Sequence, residues 1–343
     1  MNILLASTAE DGQRWQQYVD SLPQSSHYLR WGWKQVIRNS FEWSTFFLMA
    51  EEGGRVCGVL PLAWQHSRLF GSFLTSLPFL NGGGILADSK AAEEALLGEA
   101  IDLARRLGAK HLELRFRHNP GLPLPVKTNK VAVTRAIGPD SEKMLQELPH
   151  KVRSDVRKAM KSEFTAELLG EDALNDFYRI FAINMRELGT PVYGKTFFRE
   201  ILRAFPNVTH ICLVRYHGKP VAASFLMGYR DTIEAGWSAS LYQYLPLKPN
   251  MFLYWSIFRL AGQRGYQLFD FGRSSVGSGT HRFKLQWGSQ EVPLYWVYWL
   301  PEGVTPPELN PQNPRYRLAI AMWKRLPMSL TNWLGPMIAR RLP

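Results

Sequence analysis

Leu213-Val-Arg-Tyr-His-Gly-Lys-Pro-Val-Ala-Ala-Ser-Phe225 reads as a β-hairpin, two apolar runs around a His-Gly turn. Leu48-Met-Ala-Glu-Glu-Gly-Gly-Arg-Val-Cys-Gly-Val-Leu60 lines up with it, with Gly-Gly at the turn. The segments downstream of the two hairpins also match. Residues 90–107 carry Leu96, Leu97, Ala100, Ile101, Ala104 and Leu107 at helical spacing, and Gly108 stops them. Residues 251–264 read as a helix opened by Asn250 as N-cap and stopped by Gly265. Then come two short strands, His111-Leu-Glu-Leu114 and Leu268-Phe-Asp-Phe271, each with an acid third. Hairpin, helix, glycine stop and acid-bearing strand thus occur twice. The fold class this predicts is α/β (α+β), a tandem duplication of one mixed-sheet domain with flanking helices. The expected domains are 1–140 and 141–300, followed by a basic amphipathic tail over 301–343.

The halves are unequal after the acid-bearing strand. The first continues into a proline-rich loop, Arg115 to Pro125. The second runs through Gly272-Arg-Ser-Ser-Val-Gly-Ser-Gly279 into a short basic helix. Glycine-rich backbone at a helix N-terminus crowds N–H groups and partial positive charge, which suits an anion. Arg273, Gly277 and Gly279 are the expected anion-binding positions, with Lys284 inside the helix. A second basic face, Arg153, Arg157 and Lys161 at i, i+4 and i+8, is expected between the halves and could hold another anionic group. Residues 314–343 contain six Arg and Lys and no acid, with Leu318, Met322, Trp323, Leu326, Leu330, Trp333 and Leu334 as apolar surface. Such a segment suits either packing on the body or an anionic membrane surface.

The 343 residues carry 45% apolar side chains and a formal charge of +12. That is enough apolar surface for two cores, and it favours an anionic partner without choosing one. The two cysteines, Cys57 and Cys212, have no CxxC or metal spacing, so structural thiols in a reducing compartment are expected. No window reaches the roughly 18–20 apolar residues of a spanning helix. A cytoplasmic location is expected, with peripheral contact at the inner membrane face as an option. No His cluster suggests a metal, and no permanently bound cofactor is expected.

Asp270-Phe-Gly-Arg273, followed by Phe283-Lys284 and Trp287-Gly288, resembles the signature of FemAB-type transferases. Lys151-Val-Arg153 with Val156-Arg-Lys-Ala159 is similar to that family's basic helix. Ser26-His-Tyr28 with Trp31 and Trp33, and Asn81-Gly-Gly-Gly84, are similar to its first-domain landmarks. The order of all of these, with Pro314-Arg-Tyr-Arg317, most resembles FemAB-related proteins of PEP-CTERM/exosortase systems. The resemblance covers about residues 1–300 and implies two GNAT-like domains in one chain. It also implies acyl or aminoacyl transfer to an amine, with acyl-CoA or aminoacyl-tRNA as co-substrate. The acceptor would be an anionic small molecule or a lipid-linked envelope or exopolysaccharide precursor.

By the same resemblance Lys284 is the expected catalytic residue, with Asp270 as orienting group or base. Arg273, Gly277, Gly279, Phe283, Arg153, Arg157, Tyr242, Tyr244 and Trp237 are expected to line the substrate site. Acyl-CoA-dependent GNAT enzymes carry [Arg/Gln]-x-x-Gly-x-[Gly/Ala], and Arg273 to Gly279 is one residue longer. Two other classes stay open: a catalytically silent, membrane-docked accessory protein, and a basic RNA-binding module.

Overall fold

The structure, a computed structural model, describes residues 1–67, 71–305 and 314–341. The chain forms two compact units. The first consists of Met1–Lys130, Pro293–Leu309 and Arg340–Pro343, and the second of Val131–Val292 and Asn310–Ala339. The boundary thus falls inside strands rather than at 140 and 300, and the strand beyond Pro293 belongs with the first unit.

In the first unit the order is β1 (Asn2–Leu5), α1 (Ala9–Ser21), α2 (Trp33–Phe41), β2 (Ser44–Glu52), β3 (Arg55–Ser67), β4 (Gly71–Thr75), β5 (Leu86–Ala87), α3 (Lys90–Arg106) and β6 (Leu112–Phe116). The chain then runs through β7 (Val126–Ala136), α4 (Ser141–Glu147) and α5 (His150–Met160). The second unit continues with β8 (Phe164–Leu169), α6 (Leu174–Leu188), α7 (Lys195–Ala204), β9 (Thr209–Tyr216), β10 (Lys219–Tyr229), β11 (Thr232–Ser240), α8 (Pro249–Gln263), β12 (Leu268–Ser275) and α9 (Gly279–Leu285). β13 (Gln290–Trp299), α10 (Pro314–Arg325) and α11 (Met328–Ala339) complete the chain.

Strand, two helices, three strands, crossover helix, strand: the units share this order, with the two-residue β5 added in the first. Strands run β1-β2-β3-β4-β6-β13 in the first unit and β7-β12-β11-β10-β9-β8 in the second. Both quoted hairpins form. Their turns, Gly53-Gly54 and His217-Gly218, have positive φ at both positions, the hand that matches strand twist. β4 pairs parallel with β6, and β11 with β12, each across a crossover helix.

Two differences from the expected elements have local causes. α8 begins at Pro249, with the left-handed Lys248 as its cap and not Asn250, because proline suits the first helical position. β12 extends to Ser275 and not Phe271, since its carbonyls find partners from a later helix.

In the second unit Val152, Leu253, Ile257, Phe258, Phe269 and Trp287 form one core. The opposite layer is aromatic, with Trp237 set edge-on against Phe197, Phe198 and Phe225. In the first unit α3 covers β2, β3 and β6 through Leu96, Ala100 and Leu103. There Gly82 lets the Tyr28 ring lie against the backbone, where a Cβ would come within 2.5 Å of it. The tail helices pack on α6: a Cβ on Gly189 would meet Ile320 of α10, and one on Gly335 of α11 would meet Val192 at about 3 Å.

Gly262 on α8 sits so close to Gly138 that a Cβ would lie 2.0 Å from its carbonyl oxygen. Backbone cannot swing aside as a side chain can. Gly262→Ala is therefore expected to destabilise the protein by about 2–4 kcal/mol in urea unfolding, although alanine is the better helix former.

Candidate functional site

Asp270 stands near the middle of β12 and is 1% exposed. Its Oδ1 accepts the Gly272 N–H at 2.7 Å, and Gly272 then turns at φ 71. A side chain at Gly272 would be strained, and its Cβ would lie 3.1 Å from the Ala235 carbonyl. The chain leaves β12, makes one tight turn, and enters α9, where the Ser278 hydroxyl accepts the His281 N–H. α9 places Lys284 back against the strand it came from. The Lys284 Nζ donates to the Gly272 and Arg273 carbonyls, both at 2.9 Å.

Lys284 is buried, and burial pulls its pKa down from 10.5 to about 8. The charges of Asp270 and Glu234 oppose that fall, and Arg273 adds to it. A group with this pKa can give or take a proton near neutral pH. Glu234, on β11 and itself buried, did not stand out in the sequence. Its signal was present: an acid in the otherwise apolar run Ile233 to Ala235.

Glu234 also marks where two strands part. β11 and β12 pair from Thr232 and Leu268 only as far as Glu234 and Asp270, although both strands continue. Just beyond, Phe225 faces Trp237 while Leu226 faces Ala235, which leaves Gly236 as a bulge. Past Glu234, β11 stays paired with β10 but no longer with β12, which leaves its β12-facing edge open beside Gly272. Backbone donors in that position are suited to a carbonyl oxygen that gains negative charge.

The other expected residues are distributed unequally. Arg273 adjoins Lys284. Gly277 is in the turn, but its N–H donates to His281 Nδ1 at 3.1 Å and its carbonyl accepts Arg282 at 2.7 Å. In this structure that amide is therefore engaged within the turn. His281 Nε2 in turn lies 2.5 Å from Glu291 Oε1. Gly279 opens α9 and is exposed. Phe283 packs on Tyr254 and Trp287, and Trp237 on the α7 rings, so both serve packing. Tyr244 stacks edge-on against Tyr216, and Tyr242 is exposed. Arg153 donates to the Gln146 carbonyl and Arg157 is exposed on α5; no hydrogen bond or ion pair joins either to Lys284.

A cavity of about 610 Å³ lies in the first unit, lined by Arg105, Lys110, Trp299 and Pro301 among others. It contains none of the expected site residues. Among the described residues no group of three His, Cys, Asp or Glu side chains could hold a metal ion. No described helix is long and apolar enough to cross a membrane.

The sequence model of the acetyltransferase (GNAT) domain matches residues 150–285, the stretch from α5 through Lys284. No curated protein matches the sequence. Among solved structures, FemX is similar with a TM-score of 0.66 at 15% identity, over 93% of this chain and 100% of that one. The C-terminal DUF2156 domain of a putative lysylphosphatidylglycerol synthetase from Agrobacterium fabrum is similar at 0.57 and 13%, over 93% and 96%. A tandem GNAT protein from the clavulanic acid biosynthesis pathway is similar at 0.54 and 12%, over 89% and 98%. The fold is thus the expected tandem GNAT-like one, and residues 150–285 are similar to a GNAT acetyltransferase domain.

The depressed pKa of Lys284 has a thermodynamic sign. Between about pH 8 and 10.5 the unfolded chain holds a proton that the folded chain has released, so stability from this group rises with pH in that window. The unfolding free energy of the wild type, less that of Lys284→Met, should climb by up to about 3 kcal/mol across it. A flat difference would mean that the ammonium is not desolvated as the geometry requires.

Proposed function

We propose that the protein is an acyltransferase of the GNAT/FemAB type, moving an acyl or aminoacyl group from an activated donor to an amine. The observation that carries this reading is the buried Lys284, fixed by two carbonyls where β11 and β12 part. Direct transfer needs a neutral amine, a placed carbonyl and donors for the oxyanion. N–H groups on the β12-facing edge of β11, past Glu234, are the candidate donors. An ammonium has three N–H bonds and the two carbonyls take two of them. The third neutralises charge on the tetrahedral intermediate or gives its proton to the leaving group. Glu234 is the nearby carboxylate suited to receive the acceptor amine's proton, with Asp270 holding the Gly272 turn and the charge of Lys284.

The donor is best read as an aminoacyl ester on tRNA. The turn is one residue longer than the acyl-CoA pattern, and the Gly277 amide is already bonded to His281. The acceptor is read as an amine on an anionic, nucleotide- or lipid-linked envelope or exopolysaccharide precursor. Support comes from the +12 charge and from the motif resemblance to proteins of PEP-CTERM/exosortase systems.

Labelled acetyl-CoA and a set of labelled aminoacyl-tRNAs, each presented with amine-bearing UDP- and lipid-linked precursors, test the donor directly. Transfer from acetyl-CoA alone would replace the aminoacyl donor with a thioester. Lys284→Met should lower kcat by about 10²–10³-fold with KM little changed. In the wild type kcat should decline as pH passes about 8, where Lys284 loses its proton. Full activity in the methionine variant would end the assignment.

A further inference from the structure

Both tail helices pack on the body and still leave large apolar side chains exposed. A helix packed on a body ordinarily turns its large apolar side chains inward. α11 turns in Thr331, Gly335 and Ala339, at i, i+4 and i+8, and all three are buried. Of its large apolar residues, Leu330, Leu334 and Ile338 are half-buried, while Trp333 and Met337 are 64% and 39% exposed. α10 turns in Ile320 and Trp323. Its i, i+4 pair Leu318 and Met322 is 65% and 60% exposed, on the face opposite the buried one.

Leu188 ends α6 and is also exposed, one residue before the Gly189 that packs on Ile320. Arg317, Lys324 and Arg325 on α10 are exposed, and residues 314–341 contain no acid.

We infer that α10 and α11 form a docking face for the surface of an anionic phospholipid bilayer. Small residues at the α11 contact let it lie tight on the body, which frees its Trp and Met to enter the interface. Tryptophan settles at the headgroup level, aliphatic residues at the acyl boundary, and basic residues on anionic headgroups. The exposed basic residues, with no acid among them and flanked by exposed apolar side chains, match a negatively charged sheet with an apolar interior. Neither helix crosses the bilayer, being twelve residues long. The face uses none of the residues around Lys284, so it stands or falls independently of acyl transfer.

The test is co-sedimentation of the full chain with vesicles of phosphatidylcholine alone and of phosphatidylcholine with phosphatidylglycerol. The wild type should bind the mixed vesicles, and added salt should weaken that binding. Two variants at exposed positions are compared, each checked by its thermal unfolding: Leu318→Ser/Met322→Ser/Trp333→Ser and Lys324→Glu/Arg325→Glu. Each should lose about tenfold or more in partitioning. Failure of the wild type to bind mixed vesicles, or binding by the serine variant equal to wild type, overturns the inference. So does a wild-type dimer in sedimentation equilibrium that the serine variant turns into a monomer, because the face would then belong to a second copy.

Discussion

A carboxylate in a protein interior stays charged only if a cation or several hydrogen bonds stand beside it, and this requirement organises both units. Asp270 and Glu113 hold the same place, on the strand after the crossover helix, and in each unit the parallel pairing reaches that acid and goes no further. The two units meet the requirement differently. Burial pushes the Glu113 carboxyl upward, but the Arg115 charge and hydrogen bonds from Tyr298 and Arg115 hold it below the usual carboxylate range. Arg115 also donates to the Leu80 carbonyl and lies over the Trp296 ring, so the first unit closes over its acid.

At the place of Arg115 the second unit has Gly272. Gly272 puts no side chain there, the Glu234 Oε1 lies 3.6 Å from where its Cβ would be, and the cation arrives from a different element, Lys284 on α9. The result is a charge held by backbone carbonyls rather than by a guanidinium bonded to a carboxylate oxygen. Arginine locked to a carboxylate has no proton to exchange at neutral pH. A lysine with a pKa near 8 does. One repeated order of elements thus ends in an arginine–glutamate pair in one unit and in a buried lysine in the other.

The repeated order of elements was legible because it rests on local signals. Turn glycines, a helix-stopping Gly108 and Gly265, and alternating apolar runs are all written within short windows. Lys284 is singled out by its motif, and the structure has it buried against the Gly272 and Arg273 carbonyls. Glu234 was not legible, since its importance comes from β12 lying beside β11, a long-range pairing that no window shows. The occupied Gly277 amide escaped for a related reason: His281 reaches back four residues to take it, and glycine content says only that a backbone can bind, not what it already binds. The aromatic residues Phe283 and Trp237, expected as ligand contacts, are half-buried and packed against other rings, because ring chemistry reads the same in either setting.

β13 adds an order of events. Tyr295 to Trp299 pair with Phe116 to Leu112, and Val297 joins the core beneath α3. The first unit, although it begins at the N-terminus, therefore cannot complete its sheet until residues near 299 have been synthesised. On the ribosome β6 would wait with an unpaired edge while residues 131–292 of the second unit emerge. Those residues carry β12, α9 and Lys284, and all of them are made before β13 can close the first unit. A chain interrupted between Val292 and Trp299 would lack the closing strand of the first unit and, of the second, only the tail helices.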